Sequence, residues 1–145
     1  MGSVAYCGVN RTGNMGVTAG DDVVRLPVGL VTADRYDRCK VLHALTSAGT
    51  SPGSSVDNAA ESTAGGVAYL LCTAITGTTP ELTVTVEDST NNSDWTTLVV
   101  MTALGAVGSE QKLVTGTVDK YLRVSWTLTG TDTPTVTWFL AFGRR

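Results

Sequence analysis

The sequence predicts an all-β protein, an antiparallel β-sandwich of jelly-roll or Greek-key type with about eight strands and an extended N-terminal arm. Three observations carry that expectation. Threonine is the unusual residue, 24 of 145, and its branched Cβ suits strands better than helices. Apolar–polar alternation of period 2 recurs, in segments separated by Gly, Pro, Asn and Asp clusters about every 10–14 residues. No helical pattern of useful length intervenes. A chain of 145 residues fits one domain, and a domain near 150 residues buries about 70% of its unfolded surface.

Residues 1–20 read as the arm. They hold Gly2, Gly8, Gly13, Gly16 and Gly20, five of the chain's 16 glycines, and show neither period. Yet Val4, Tyr6, Val9, Met15 and Val17 are too apolar for a solvated linker and mark the arm as a segment that orders against another surface. A frayed terminus, or a loop packed on its own domain, is the plainer alternative. Residues 21–145 then form the single domain. Its first apolar run, 23–28, is interrupted by Pro27 and reads as an edge or bulged strand. Residues 32–40, polar and charged, read as a turn or a short irregular segment. Over 39–45 alternation resumes, with Cys39, Val41, His43 and Leu45 on one face and Lys40, Leu42 and Ala44 on the other. The stretch 46–66 is Ser/Gly/Ala/Thr-rich and patternless. A loop of that length signals a contact segment, and a short helix over 56–63 competes with it.

The second half is clearer. Residues 67–75 are continuously apolar, as in a strand buried on both faces, and Gly77-Thr78-Thr79-Pro80 is a turn. Over 81–87, Leu82, Val84 and Val86 point inward, and Thr83, Thr85 and Glu87 outward. A polar connection over 88–94 leads to a returning strand over 95–101, which makes a hairpin. A further strand is expected over 112–118. The strand over 121–129 places Leu122, Val124, Trp126 and Leu128 on one face. Gly130-Thr131-Asp132-Thr133-Pro134 turns it into a last strand over 135–142, with Val136, Trp138, Leu140 and Phe142 inward. Gly143-Arg144-Arg145 reads as a short solvated basic tail.

Composition excludes several function classes. The net charge is −3, so no basic field exists to bind nucleic acid. With 42% hydrophobic residues, disorder throughout is excluded. No stretch approaches the roughly 20 apolar residues of a membrane helix, and the start lacks the basic and apolar pattern of a signal peptide. Synthesis in a cytoplasm is therefore expected. Cys7, Cys39 and Cys72 are scattered, which suits small buried thiols better than a zinc site or disulfide framework. An intermolecular disulfide through Cys7 is the sharper alternative.

Catalytic constellations lack their residue types. The only histidine, His43, lies on an apolar strand and reads as structural. On a strand, Cys39 and His43 stand about 13 Å apart, too far for one zinc ion. The acid pairs Asp21 with Asp22 and Glu87 with Asp88 fall at strand ends, where carboxylates are ordinary, rather than in a glycosidase pattern. The connection 88–94 lacks the full spacing of a Ca²⁺ loop and reads as a turn that caps itself. No phosphate-cradling glycine loop occurs. No enzyme, cofactor or metal is expected. Trp126 and Trp138 fall on core faces, while Trp95, at the hairpin exit, is the one candidate for an exposed aromatic platform of a glycan-binding module.

Leu82-Thr83-Val84-Thr85-Val86-Glu87-Asp88, the polar turn after it and Trp95-Thr96-Thr97-Leu98 together resemble a hairpin found in small virion proteins of tailed bacteriophages. Tyr121-Leu122-Arg123-Val124-Ser125-Trp126, followed by Gly130-Thr131 and Pro134-Thr135-Val136-Thr137, resembles their closing hairpin. The resemblance spans roughly residues 67–142 and leaves out the arm and the Ser/Gly loop. It implies a non-enzymatic structural role, foremost as a capsid decoration, cement or minor capsid protein on the virion surface. The implied partners are the major capsid protein and further copies of the chain, with a trimer favoured. A tail tube or tail-tip subunit is the nearest alternative.

Overall fold

A computed structural model describes residues 5–7, 37–47 and 51–145 of the chain. Within them run seven strands joined into one antiparallel sheet: β1 (Ala5–Cys7), β2 (Asp37–Ser47), β3 (Val56–Asp57), β4 (Gly66–Ser89), β5 (Thr96–Val100), β6 (Gly108–Val114) and β7 (Tyr121–Arg144). The main path is β1-β2-β7-β4-β5, with β3 added on β7 and β6 on β4. The all-β, antiparallel character is what composition and alternation led one to expect, and no helix occurs among the described residues. The expected strand over 23–28 lies outside them, as do Asp21 and Asp22, and Val4, Val9, Met15 and Val17 of the arm.

β4 and β7 are 24 residues each and pair along their whole length, from Gly66 opposite Arg144 to Ser89 opposite Tyr121. This corrects the expected chain-reversing turns at 77–80 and 130–134 and the closing hairpin expected across the second. Residues 67–75 do not turn at Gly77 to pair with 81–87, nor do 121–129 turn at Gly130 to pair with 135–142. Each segment pairs instead with the distant one, and the two turn motifs face each other across the ribbon. There the register shifts twice, between Thr76 and Thr78 and between Thr78 and Glu81. Gly77, Thr79, Gly130, Asp132 and Thr133 all take positive φ. Bulges and left-handed residues bend a strand without ending its pairing.

The bend curls the sheet. Twelve residues of straight strand would hold Trp126 and Trp138 about 40 Å apart. Their ring centroids lie 5.2 Å apart. The inward faces of both halves of β4 and β7 thus meet in one core, with Leu70, Cys72, Leu82, Val84 and Val86 from β4 and Leu122, Val124, Val136, Trp138, Leu140 and Phe142 from β7. Fully burying each Val, Leu or Phe contributes about 1.5–3 kcal/mol. Gly66 lets β4 enter between its neighbours, because a Cβ there would lie 2.5 Å from the Phe142 ring and from the Gly143 carbonyl.

Several other elements differ from their sequence reading. β2 covers 39–45 as expected and takes in part of the predicted turn, but it shifts register on both sides of His43. The simple alternation therefore fails: Leu42 and His43 are both buried and Leu45 is exposed. Residues 67–75 are not buried on both faces, since Leu71 is exposed. The strand expected over 112–118 is β6, which begins earlier, at Gly108, and ends at Val114. The described part of the 46–66 stretch lies along β7. Gly53 N–H donates to the Val124 carbonyl, β3 pairs with Tyr121 and Leu122, and Ser62 bridges Val118. The hairpin of β4 and β5 forms as read, from Thr85 opposite Val100 to Asp88 opposite Thr96.

Two lysines lace the curl at its open sides. Lys40 Nζ on β2 donates to the Asp57 carbonyl of β3 at 2.9 Å, and Lys112 Nζ on β6 donates to the Val100 carbonyl of β5 at 2.8 Å. Glu110, beside Lys112, accepts from the Thr102 N–H and hydroxyl at 2.7 and 2.6 Å. Charged side chains turned toward a facing strand also blunt a sheet edge against unwanted pairing.

Candidate interaction surface

Among the described residues, His43, Cys72, Glu87 and Asp88 each have a defined packing or hydrogen-bond partner. His43 is buried, its ring stacked on Trp138 with centroids 3.8 Å apart and planes 8° from parallel, and edge-on to Trp126 at 5.1 Å. Its Nδ1 lies 3.2 Å from the Trp138 carbonyl. Burial pushes the imidazole below its ordinary value, so it is neutral at pH 7. Cys39 and Cys72 are buried, and burial pushes the Cys72 thiol up. No group of three metal-ligating side chains converges among the described residues.

Glu87 and Asp88 do separate work. Glu87 accepts from Arg123 Nε at 2.6 Å in an ion pair. Asp88 is buried and accepts from the Thr96 hydroxyl at 2.8 Å and the Asp119 N–H at 3.0 Å. Beyond them the connection caps itself as read. Asn91 Oδ1 accepts from the N–H groups of Ser93 and Asp94, both at 2.9 Å. Ser89 Oγ accepts from those of Asn91 and Asn92. Trp95 is half-buried, and the Arg123 guanidinium lies 4.2 Å from its ring centroid. That cation occupies one face of the ring a glycan would stack upon.

Arg144 overturns the solvated-tail reading. Its guanidinium donates to the carbonyls of Ala60, Val118 and Asp119, while Arg145 N–H donates to the Gly65 carbonyl. The C-terminus is thereby clasped to two connections. Next to it, burial and then the charges of Asp88 and Glu61 push the Asp119 carboxyl up. Sequence inspection misses this cluster because its members come from four separated segments.

A further feature of the described residues is an uncharged sheet face. Cross-strand register sets three rows on the sheet face turned away from Ala68, Leu70 and Leu140. The first is Leu113, Val67, Gly143 and Cys39; the second is Gln111, Tyr69, Ala141 and Val41; the third is Ser109, Leu71 and Phe139. None of these residues is charged. Cys39, Val67 and Ala141 are buried, Val41, Tyr69 and Phe139 are half-buried, and Leu71 and Leu113 are exposed at 41% and 59%. The charged members of β6, Glu110 and Lys112, alternate onto the opposite side. The other half of the sheet presents Thr83, Thr85, Ser125 and Thr127 outward, with Glu87 and Arg123 paired. Of the arm residues named as contacts, Tyr6 falls in β1, opposite Arg38.

Comparison with protein-family models, with curated proteins and with solved structures finds no match for this chain.

Proposed function

We propose that this chain is a non-enzymatic structural protein of a tailed-phage virion, a decoration or minor capsid protein that binds the outer shell as a homotrimer and cements neighbouring capsomers. The observation that carries the reading is the pair of exposed leucines, Leu71 and Leu113, beside uncharged, exposed Ser109 and Gln111, at the rim of a face whose central residues Cys39, Val67 and Ala141 are already buried within the chain. A monomer surface ordinarily places Lys and Glu at such positions, whereas the centres of protein interfaces are depleted in both. The resemblance of the β4–β5 hairpin and of the strand over 121–126 to small virion proteins points the same way. Within this reading the curled sheet is a jelly-roll-like sandwich, its two layers being the halves of the bent β4–β7 ribbon, and the arm, tied to its own sheet at Ala5–Cys7, carries its remaining apolar residues to neighbouring shell subunits. Repetition of weak contacts by symmetry supplies the avidity that holds a shell against internal pressure.

Co-sedimentation with empty tailed-phage capsids tests it. The expected result is that wild-type protein pellets with shells, and that protein lacking residues 1–20, or carrying Leu71→Glu with Leu113→Glu, folds but stays in solution. Failure of the wild type to pellet overturns the reading. Rings or tubes formed by the purified protein alone would assign it to the tail instead.

A further inference from the structure

We propose that His43 is an acid-sensitive latch: protonation of its imidazole releases β2, and β1 with it, from the edge of β7. The latch stands on the placement of the ring. β2 is held on β7 by a ladder that shifts register immediately before and after His43, so main-chain pairing is weakest where this side chain inserts. The imidazole there spans the curl. It lies flat on Trp138 of the second half of β7 and edge-on to Trp126 of the first half. Nδ1 faces the Trp138 carbonyl, so it carries the proton of the neutral ring, and a second proton goes to Nε2. That proton places a cation against two indoles where only 9% of the residue is exposed, so the loss of hydration opposes the attraction of the indole face.

The backbone at Trp138 and at Ala44 hydrogen-bonds the ring and favours its charged form, but less than burial opposes it, and among the described residues the charged side chains nearby are engaged elsewhere. On β2, Lys40 reaches the Asp57 carbonyl. On β4, the Cys72 thiol opposite Trp138 donates to the Ala74 carbonyl and is held neutral by burial. On β7, Arg123 pairs with Glu87, Asp132 accepts from the Thr78 hydroxyl, and Arg144 is clasped to Ala60, Val118 and Asp119. Residues 51–53, which pack on Trp126 and Val124, carry no titratable side chain. Burial therefore governs and lowers the affinity of the ring for its second proton from the ordinary value of 6.5.

The sign follows from linkage. The folded value lies below the unfolded one, so the latch is fully closed above the unfolded value. It weakens as the pH falls below it, by about tenfold in the opening equilibrium per pH unit until the folded value is reached. Release uncovers the β7 edge over 137–143, a row of main-chain donors and acceptors able to take another strand.

Amide hydrogen exchange of the full chain between pH 7.5 and 4.5, corrected for its intrinsic pH dependence, reads this directly. The expected result is a β2 opening constant that rises about tenfold per pH unit below roughly 6.5, with the β4–β7 ladder over 81–89 unchanged. In His43→Phe, which keeps the ring and removes the titration, β2 protection is flat with pH. A flat wild-type profile, or an equal loss of protection in β2 and in 81–89, overturns the latch. Should His43→Phe fail to fold, the wild-type imidazole resonances decide: titration at or above 6.5 with β2 protected overturns the proposal, and titration below it together with β2 opening supports it.

Discussion

Asp88 and Asp94 bracket one polar connection and look alike in sequence, yet the structure gives them different work. Asp88 is buried and holds the Asp119 N–H and the Thr96 hydroxyl. Asp94 is exposed and accepts from the Asn91 side chain. A buried donor left without its acceptor costs about 1–3 kcal/mol, so Asp88→Ala is expected to lower unfolding free energy by that amount in urea titrations. Asp94→Ala should stay within about 0.5 kcal/mol, as exposed substitutions usually do. Equal losses would mean that the connection, rather than the buried carboxylate, sets stability here. His43 teaches the same point. Its burial was legible from its apolar strand, but the stacking on Trp138 was not, because the register shifts in β2 put His43 and Leu42 together in the interior. Arg144 was misread for a related reason. Two adjacent arginines at a chain end look solvated until the carbonyls of Ala60 and Val118, brought in from far along the chain, surround one of them.

At the scale of elements, alternation identified strands and left their partners open. The inward faces of 81–87 and 121–129 were read correctly, since period 2 depends only on the local pleat. The hairpin of β4 and β5 was also legible, because a short polar connection leaves antiparallel pairing as the near neighbour's option. Gly77 to Pro80 and Gly130 to Pro134 misled because turn residues encode a change of chain direction and not which strand lies alongside. Two such motifs in register make a corner in a paired ribbon instead of two hairpins. The corner depends on Gly130, at φ 134°, where a Cβ would lie 3.0 Å from Pro80 Cα and 3.1 Å from the Thr78 carbonyl. Gly130→Ala should therefore destabilise by about 1–3 kcal/mol, combining strain with crowding. Gly116, at φ 88° with nothing within 4 Å of an added Cβ, supplies the comparison. Gly116→Ala meets the strain without the crowding, and its thermal midpoint should fall less. A larger fall for Gly116→Ala would show that the bend tolerates a side chain and that its glycine is incidental.

For the whole molecule, scarce charge and abundant threonine divide between two faces with different consequences. Thr83, Thr85 and Thr127 lie on the outward face of one half of the curl, beside the paired Glu87 and Arg123. The face of the other half has no charged side chain in three successive rows. The sequence showed the composition but not this segregation, which arises only when β6, β4, β7 and β2 come into register. An assembly built on such a face is held by removal of apolar surface from water, and that contribution is not screened by ions. The proposed trimer should therefore keep its mass in light scattering when salt is raised to about 1 M, where the screening length is only about 3 Å. Leu71→Glu with Leu113→Glu should dissociate it without unfolding the single chain, where both side chains are already exposed, and the thermal midpoint should fall only by the stabilisation that assembly supplied. A trimer that falls apart in salt but tolerates the two glutamates would place its contacts on charged groups such as Lys40, Lys112 and Arg123, and the uncharged face would then have no part in assembly.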